Sequence, residues 1–198
     1  MMTLYLSPGA CSLASHIALN AASLPYRAVR VDLKEKRTAD GADFTVVNPK
    51  GYVPALELDD GEVLTENIAV LSFIARSAGT LMPAAGMPHW RVLETTAFIS
   101  TELHKNFKPF FDKSASDDAR TKAGEVIGQR LRLMEARLGD RAFIVGEELS
   151  IADCYLFVVL RWAGKLGLPL PEHLDAYYQR MTQLPAVADA LKDEGIDG

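Results

Sequence analysis

Four stretches of the chain bring together residues able to do chemistry. In SPGACSLASH, Ser7–His16, a cysteine follows a Pro-Gly turn at the point where a strand pattern gives way to a helical one. With Ser12 as the helix N-cap, Cys11 lies at the positive end of the helix dipole, which lowers a thiol pKa and favours the reactive thiolate. A free cysteine is otherwise most often a small buried apolar residue, and Cys154, in ADCYLFVVL, fits that description. In NPKGYVPALEL, Asn48–Leu58, Val53-Pro54 enters a strand. The plain reading is an edge-strand proline, and the sharper one a cis bond that leaves the Val53 N–H and C=O open to an extended peptide. In LTENIAVL, Leu64–Leu71, residues Thr65, Glu66 and Asn67 crowd a helix start. They serve either as a simple cap or as a site, where free N–H groups accept a carboxylate and Glu66 takes an adjacent ammonium. In STELHKNFKPFF, Ser100–Phe111, the cluster Glu102, His104, Lys105 is also what the solvated face of a long helix looks like.

A fifth stretch, GEELSIADCYLF, places Ser150 and Asp153 at the spacing of a capping box, which predicts a structural helix nucleus and no catalytic role. The two cysteines lie far apart in a sequence of 198 residues. They form neither a disulfide framework nor a zinc site, and predict a cytoplasmic protein with reduced thiols and no metal. A hydrophobic content of 48% and a charged content of 24% are ordinary for a globular chain. The net charge of -5 argues against a nucleic-acid partner or an anionic membrane surface. No secretion signal opens the chain, and no apolar run approaches the roughly 20 residues that a membrane span needs.

These residues need elements to hold them. Up to Gly79 the order is β-α-β-loop-β-β-α. Thr3–Ser7 and Tyr26–Leu33 read as strands, Ser12–Leu24 as a helix, Val53–Glu66 as two strands around Asp60-Gly61, and Asn67–Gly79 as an apolar helix. GTLMPAAGMPHW then carries glycines and prolines without periodicity, which suits a linker. Beyond it everything is helical in pattern: Trp90–Phe107 with an interruption at Pro109, Asp117–Leu138, Ile151–Leu166, Glu172–Leu184 and Ala186–Asp193. The expectation is an α/β domain over residues 1–80 and an all-α domain over 88–198.

In this order and at these intervals, Tyr5, SPGACSLASHIAL, NPKGYVPALEL, LTENIAVL, ELHKNF and GEELSIADCYLF resemble the glutathione transferases, the bacterial beta class in particular, over essentially the whole chain. Cys11 after PGA and His104 in ELHK select the cysteine type over types that use tyrosine or serine. The resemblance implies a thioredoxin-like N-terminal domain, a C-terminal helical bundle, a homodimer, and glutathione as co-substrate bound between the domains near the dimer interface. It implies that Cys11 contacts the glutathione sulfur and can form a mixed disulfide with it, with His104 as a second catalytic residue. It further implies that the Val53 backbone pairs with the cysteinyl part, that Glu66 and Asn67 hold the γ-glutamyl head, and that Lys36 meets the glycyl carboxylate. Thr101, Glu102, His104 and Lys105 would line the same region from the helical domain. A small apolar electrophile would lie among Tyr5, Ala10, Phe107, Phe110, Phe111 and Trp162. Relatives commonly carry an asparagine where this chain has Ala97, so one polar contact to glutathione is absent.

Three functions follow in order of expectation. The first is detoxifying conjugation of the glutathione thiolate to an electrophilic carbon, in which the protein supplies positioning and a lowered thiol pKa. The second is glutathione-dependent disulfide or peroxide reduction through Cys11, necessarily monothiol because Ala14 stands in the resolving position. The third is a non-enzymatic ligand- or partner-binding relative. Such a protein would be expected to lose Cys11, Glu66 or Val53-Pro54, and this chain keeps all of them.

Overall fold

The computed structural model describes residues 1–197. The chain divides into two compact units: Met1–Ala84 together with the segment from Leu184 onward, and Ala85–Gln183.

The first unit runs β1 (Met2–Leu6), α1 (Ser12–Ala21), β2 (Tyr26–Asp32), β3 (Arg37–Thr38), β4 (Ala55–Glu57), β5 (Val63–Thr65) and α2 (Asn67–Ala78). Among the described residues the sheet has five strands in the order β3-β2-β1-β4-β5. β1 and β2 are parallel, with Met2 opposite Tyr26, and α1 supplies the crossover that a parallel pair requires. β4 runs antiparallel to β1, with Tyr5 opposite Ala55, and β5 antiparallel to β4. This is the thioredoxin-like arrangement expected from the sequence, including the hairpin at Asp60-Gly61, where Gly61 has φ +87°. β1 is a central strand, and Thr3, Leu4, Tyr5 and Leu6 are all buried, so its sequence runs apolar without clean alternation.

The last helix, α8 (Pro185–Glu194), belongs to this first unit and corrects the expected boundary of a helical domain over 88–198. It presents Val187, Ala190 and Leu191 on one stripe, and all three are buried where α8 packs on α1. Periodicity shows that such a stripe must be covered but not by which element.

The second unit begins with α3 (Gly86–Phe98), followed by a π turn over Ile99–Leu103, a 3-10 turn over His104–Phe107 and α4 (Lys108–Phe111). It continues with α5 (Asp117–Leu138), α6 (Ile151–Lys165) and α7 (Glu172–Thr182). The sequence predicts a single helix up to Phe107, whereas α geometry is already lost at Ile99. Pro109 has no N–H for the Lys105 carbonyl, which instead takes the Lys108 N–H one residue earlier, tightening the turn. α6 is the centre of this unit, with every residue from Ile151 to Ala163 buried. α5 lays Ile127, Leu131, Met134 and Leu138 inward at the helical spacing its sequence predicts, and Ala123 is buried with them.

Candidate active site

Cys11 occupies the N-cap of α1, the position expected of Ser12. Ser12 is the first helical residue, and its hydroxyl accepts from Ser7 N at 3.2 Å and donates to Ser7 O at 3.4 Å, closing the turn. Gly9 sits at φ +72°, a conformation that glycine adopts without steric cost. The Cys11 thiol donates to the Val53 carbonyl at 3.3 Å. Burial pushes this thiol up to about 12, and the nearby Glu66 charge adds to the rise, against the lowering effect of the Cys11 and Ser12 N–H groups. Desolvation thus outweighs the helix end, against the depressed pKa expected from the helix start, and the group is a neutral donor in this geometry. Cys154 is wholly buried and is pushed up further for the same reason.

Val53-Pro54 is cis, the sharper of the two sequence readings. The Val53 N–H has no hydrogen-bond partner among the described residues, and its carbonyl takes only the Cys11 thiol. The preceding loop is set by buried Asn48, whose Nδ2 donates to Tyr52 O at 2.7 Å and whose Oδ1 accepts from Lys50 N at 3.1 Å. Lys36 donates from Nζ to Gly51 O, and its stem lies 3.3 Å from where a Gly51 Cβ would stand. Lys36 thus braces this loop.

Glu66 caps α2 at φ +69°, a strained conformation for a residue with a side chain. Its carboxylate accepts from Lys50 Nζ and from Tyr52 OH, each at 2.6 Å, and both hold it below the usual carboxylate range. Lys50 and Tyr52 are absent from the sequence-derived site, although both stand in NPKGYVP beside Val53. The Asn67 side chain is engaged by the protein itself: its Oδ1 accepts from Ser15 at 2.8 Å and its Nδ2 donates to Cys11 O at 3.0 Å, which ties the start of α2 to the start of α1. The α2 N-terminal N–H groups remain, as at any helix start.

Tyr5 also departs from expectation. It is a core residue, donating to Glu57 Oε2 at 2.9 Å and packing on Phe44, with Ala10 against the same cluster. Burial, with the Glu57 carboxylate accepting from it, pushes its phenol up to about 12.

In the second unit the expected residues fall on the π and 3-10 turns. Thr101 bonds back to Ala97 O at 3.0 Å. Glu102 is gripped by Arg130 through Nε at 3.1 Å and Nη2 at 3.0 Å. The His104 Nδ1 is hydrogen-bonded to Tyr155 OH, and the ring lies edge-on to Trp162 at 4.9 Å. Burial pushes His104 down to about 4, which keeps the imidazole neutral at pH 7. Lys105 is exposed. Phe107, Phe110, Phe111 and Trp162 form one aromatic cluster, in which Phe107 is fully buried and Phe111 is 57% exposed. Phe107 is therefore support for the cluster, and Phe111 its accessible face.

Asp153 is fully buried and accepts four hydrogen bonds: Oδ1 from Ile144 N and Tyr177 OH, both at 2.8 Å, and Oδ2 from Ser150 N at 2.9 Å and Ser150 Oγ at 2.6 Å. The capping box is present and, as the sequence predicts, structural.

Two family models match the chain: glutathione S-transferase, N-terminal domain, over residues 1–76, and glutathione S-transferase, C-terminal domain, over residues 82–185. The chain is 42% identical over 200 residues to glutathione S-transferase GstA of Escherichia coli O157:H7, covering 98% of this chain and 100% of that protein. It is 37% identical over 217 residues to glutathione S-transferase GST-4.5 of Xanthomonas campestris, covering 99% and 100%. Among solved structures, the ternary complex of BphK, a bacterial GST, superposes with a TM-score of 0.94 at 41% identity, covering 98% and 100%. The sphingomonad glutathione S-transferase complexed with glutathione does so with 0.90 at 42%, covering 98% and 100%. The beta-class enzyme of Sphingomonas chungbukensis gives 0.90 at 40%, covering 98% and 100%.

Proposed function

The chain belongs to the glutathione S-transferase family, and from that premise we propose how its residues divide the work of moving the glutathione thiol onto an electrophile. The observation that carries the reading is the Cys11 thiol on the carbonyl of Val53, whose own N–H has no partner among the described residues. A peptide laid along Val53 uses that N–H and C=O, and its cysteinyl sulfur then comes to rest beside Cys11. Released from Val53, the neutral Cys11 thiol donates to the glutathione sulfur and stabilises its thiolate. The glutathione thiol gives its proton to solvent, the thiolate attacks the electrophilic carbon, and the leaving group departs with the electron pair.

The γ-glutamyl ammonium takes the place that Lys50 holds on Glu66, and its carboxylate faces the N–H groups at the start of α2. Lys36 meets the glycyl carboxylate, and Lys105, with Thr101, Glu102 and His104 around it, contributes from the helical unit. The electrophile is a small apolar molecule in contact with Phe110, Phe111 and Trp162. We place the enzyme in the cytoplasm, in detoxification, and as a homodimer; exposed Val46 and Trp90 are apolar side chains that a second copy would cover. The non-enzymatic alternative has no support from relatives that are named as transferases.

A comparison of the parent with Cys11→Ala tests this division. Conjugation to an aryl halide is expected to fall about tenfold, the scale of one hydrogen bond to a charged group. Reduction of a glutathione mixed disulfide is expected to vanish. Absence of both activities in the parent overturns the reading.

A further inference from the structure

The mechanism leaves unused a buried acid–base pair at the back of the Cys11 turn. Glu194, the last residue of α8, is buried, although a carboxylate at a helix C-terminus is opposed by the dipole and by desolvation. Two groups compensate it. Glu194 Oε1 lies 3.0 Å from His16 Nδ1 on α1, and Oε2 accepts from the Gly9 amide at 2.7 Å. His16 is itself buried, and its Nε2 has no hydrogen-bond partner among the described residues, the nearest acid being Asp193 at 3.9 Å. A pair this costly to bury adds little to stability over an apolar packing, but it fixes geometry, because each partner has one place to go. Gly9 stands two residues before Cys11, at φ +72°, in a turn also tied by the Ser12–Ser7 contacts, by the Ala10 N–H on Ser7 O and by Asn67 Nδ2 on Cys11 O.

We propose that Glu194 and His16 are positioning residues for Cys11: the carboxylate, oriented by the imidazole, holds the Gly9 amide and thereby the backbone turn that sets the thiol on Val53. The role in catalysis rests on the transferase reading; the hold on the turn does not. A second tie between α8 and the same unit serves as a control, since Arg30 Nη2 donates to Asp193 O at 2.7 Å without touching the turn.

The test measures iodoacetamide labelling of Cys11 and Cys154 by peptide mass spectrometry, amide exchange at Gly9, and KM for glutathione against kcat. Glu194→Ala is expected to raise Cys11 labelling and KM about tenfold each, to speed Gly9 exchange, and to leave kcat within about threefold. Cys154 labelling stays at the parent rate, because the change is local. Glu194→Gln keeps an acceptor for Gly9 and stays within about threefold of the parent throughout, and Arg30→Ala matches the parent. Should Glu194→Ala not fold, Glu194→Asp withdraws the carboxylate by one methylene and moves the same readouts in the same direction by about threefold. The proposal is overturned if Cys11 and Cys154 labelling rise together, if Arg30→Ala reproduces the effect, or if the alanine and aspartate variants leave Cys11 labelling unchanged. A parent without glutathione turnover removes the transferase reading, while labelling and exchange still decide this one.

Discussion

The thiol of Cys11 is subject to opposing influences. The start of α1 favours the thiolate, and burial beside the Val53 carbonyl disfavours it more strongly. Below its pKa the thiolate fraction grows with pH, so iodoacetamide labelling of Cys11 in the ligand-free protein is expected to rise about tenfold per pH unit from 7 to 10 without a plateau. Because the folded thiol ionises near 12 and an unperturbed one near 9.0, the unfolded chain releases its proton first, and stability falls as pH rises past 9.0. A labelling plateau below pH 8 would show that the helix end prevails after all. The position of Cys11 was legible from the Pro-Gly turn and the helix that follows it. The sense of its pKa was not, because desolvation depends on Val53 and on neighbours far away in sequence. The same holds for Asn67, legible as a helix-start residue while its partners Ser15 and Cys11 came only with the fold.

Among the elements, those with their own local chemistry were legible. The hairpin at Asp60-Gly61 and the box at Ser150 and Asp153 depend on residues a few positions apart, and both form. The Asp153 carboxylate also gathers Ile144 N and Tyr177 OH, so Asp153→Ala leaves several buried donors unpaired at about 1–3 kcal/mol each. A loss of at least about 3 kcal/mol is expected, read as a lower urea midpoint, against about 1 kcal/mol for Tyr177→Phe. Activity per folded molecule should stay near that of the parent. A variant that melts like the parent but has lost turnover would make Asp153 functional. The π and 3-10 turns at Ile99–Phe107 were not legible, since the pattern of apolar residues hardly changes when one carbonyl shifts its donor by a residue.

On the scale of the whole molecule, the first unit is closed by a helix that the sequence holds back until residue 185. The sequence pattern marks Ala186–Asp193 as helical but does not assign that helix to α1. A chain ending at Gln183 would lose Val187, Ala190 and Leu191 from that contact and leave His16 without Glu194. Residues 1–84 are then expected to lose most of their amide-exchange protection while 85–183 keep theirs; unchanged protection across 1–84 would refute this. The arrangement also bears on how the protein is made. Translation at about 5–20 residues per second delivers β1 to α2 first, then the whole of 85–183, and α8 only at the end. For those seconds the side of α1 that α8 will cover stands bare on a nascent chain, open to a chaperone or to a neighbouring ribosome's product. The unit that is synthesised first is finished last.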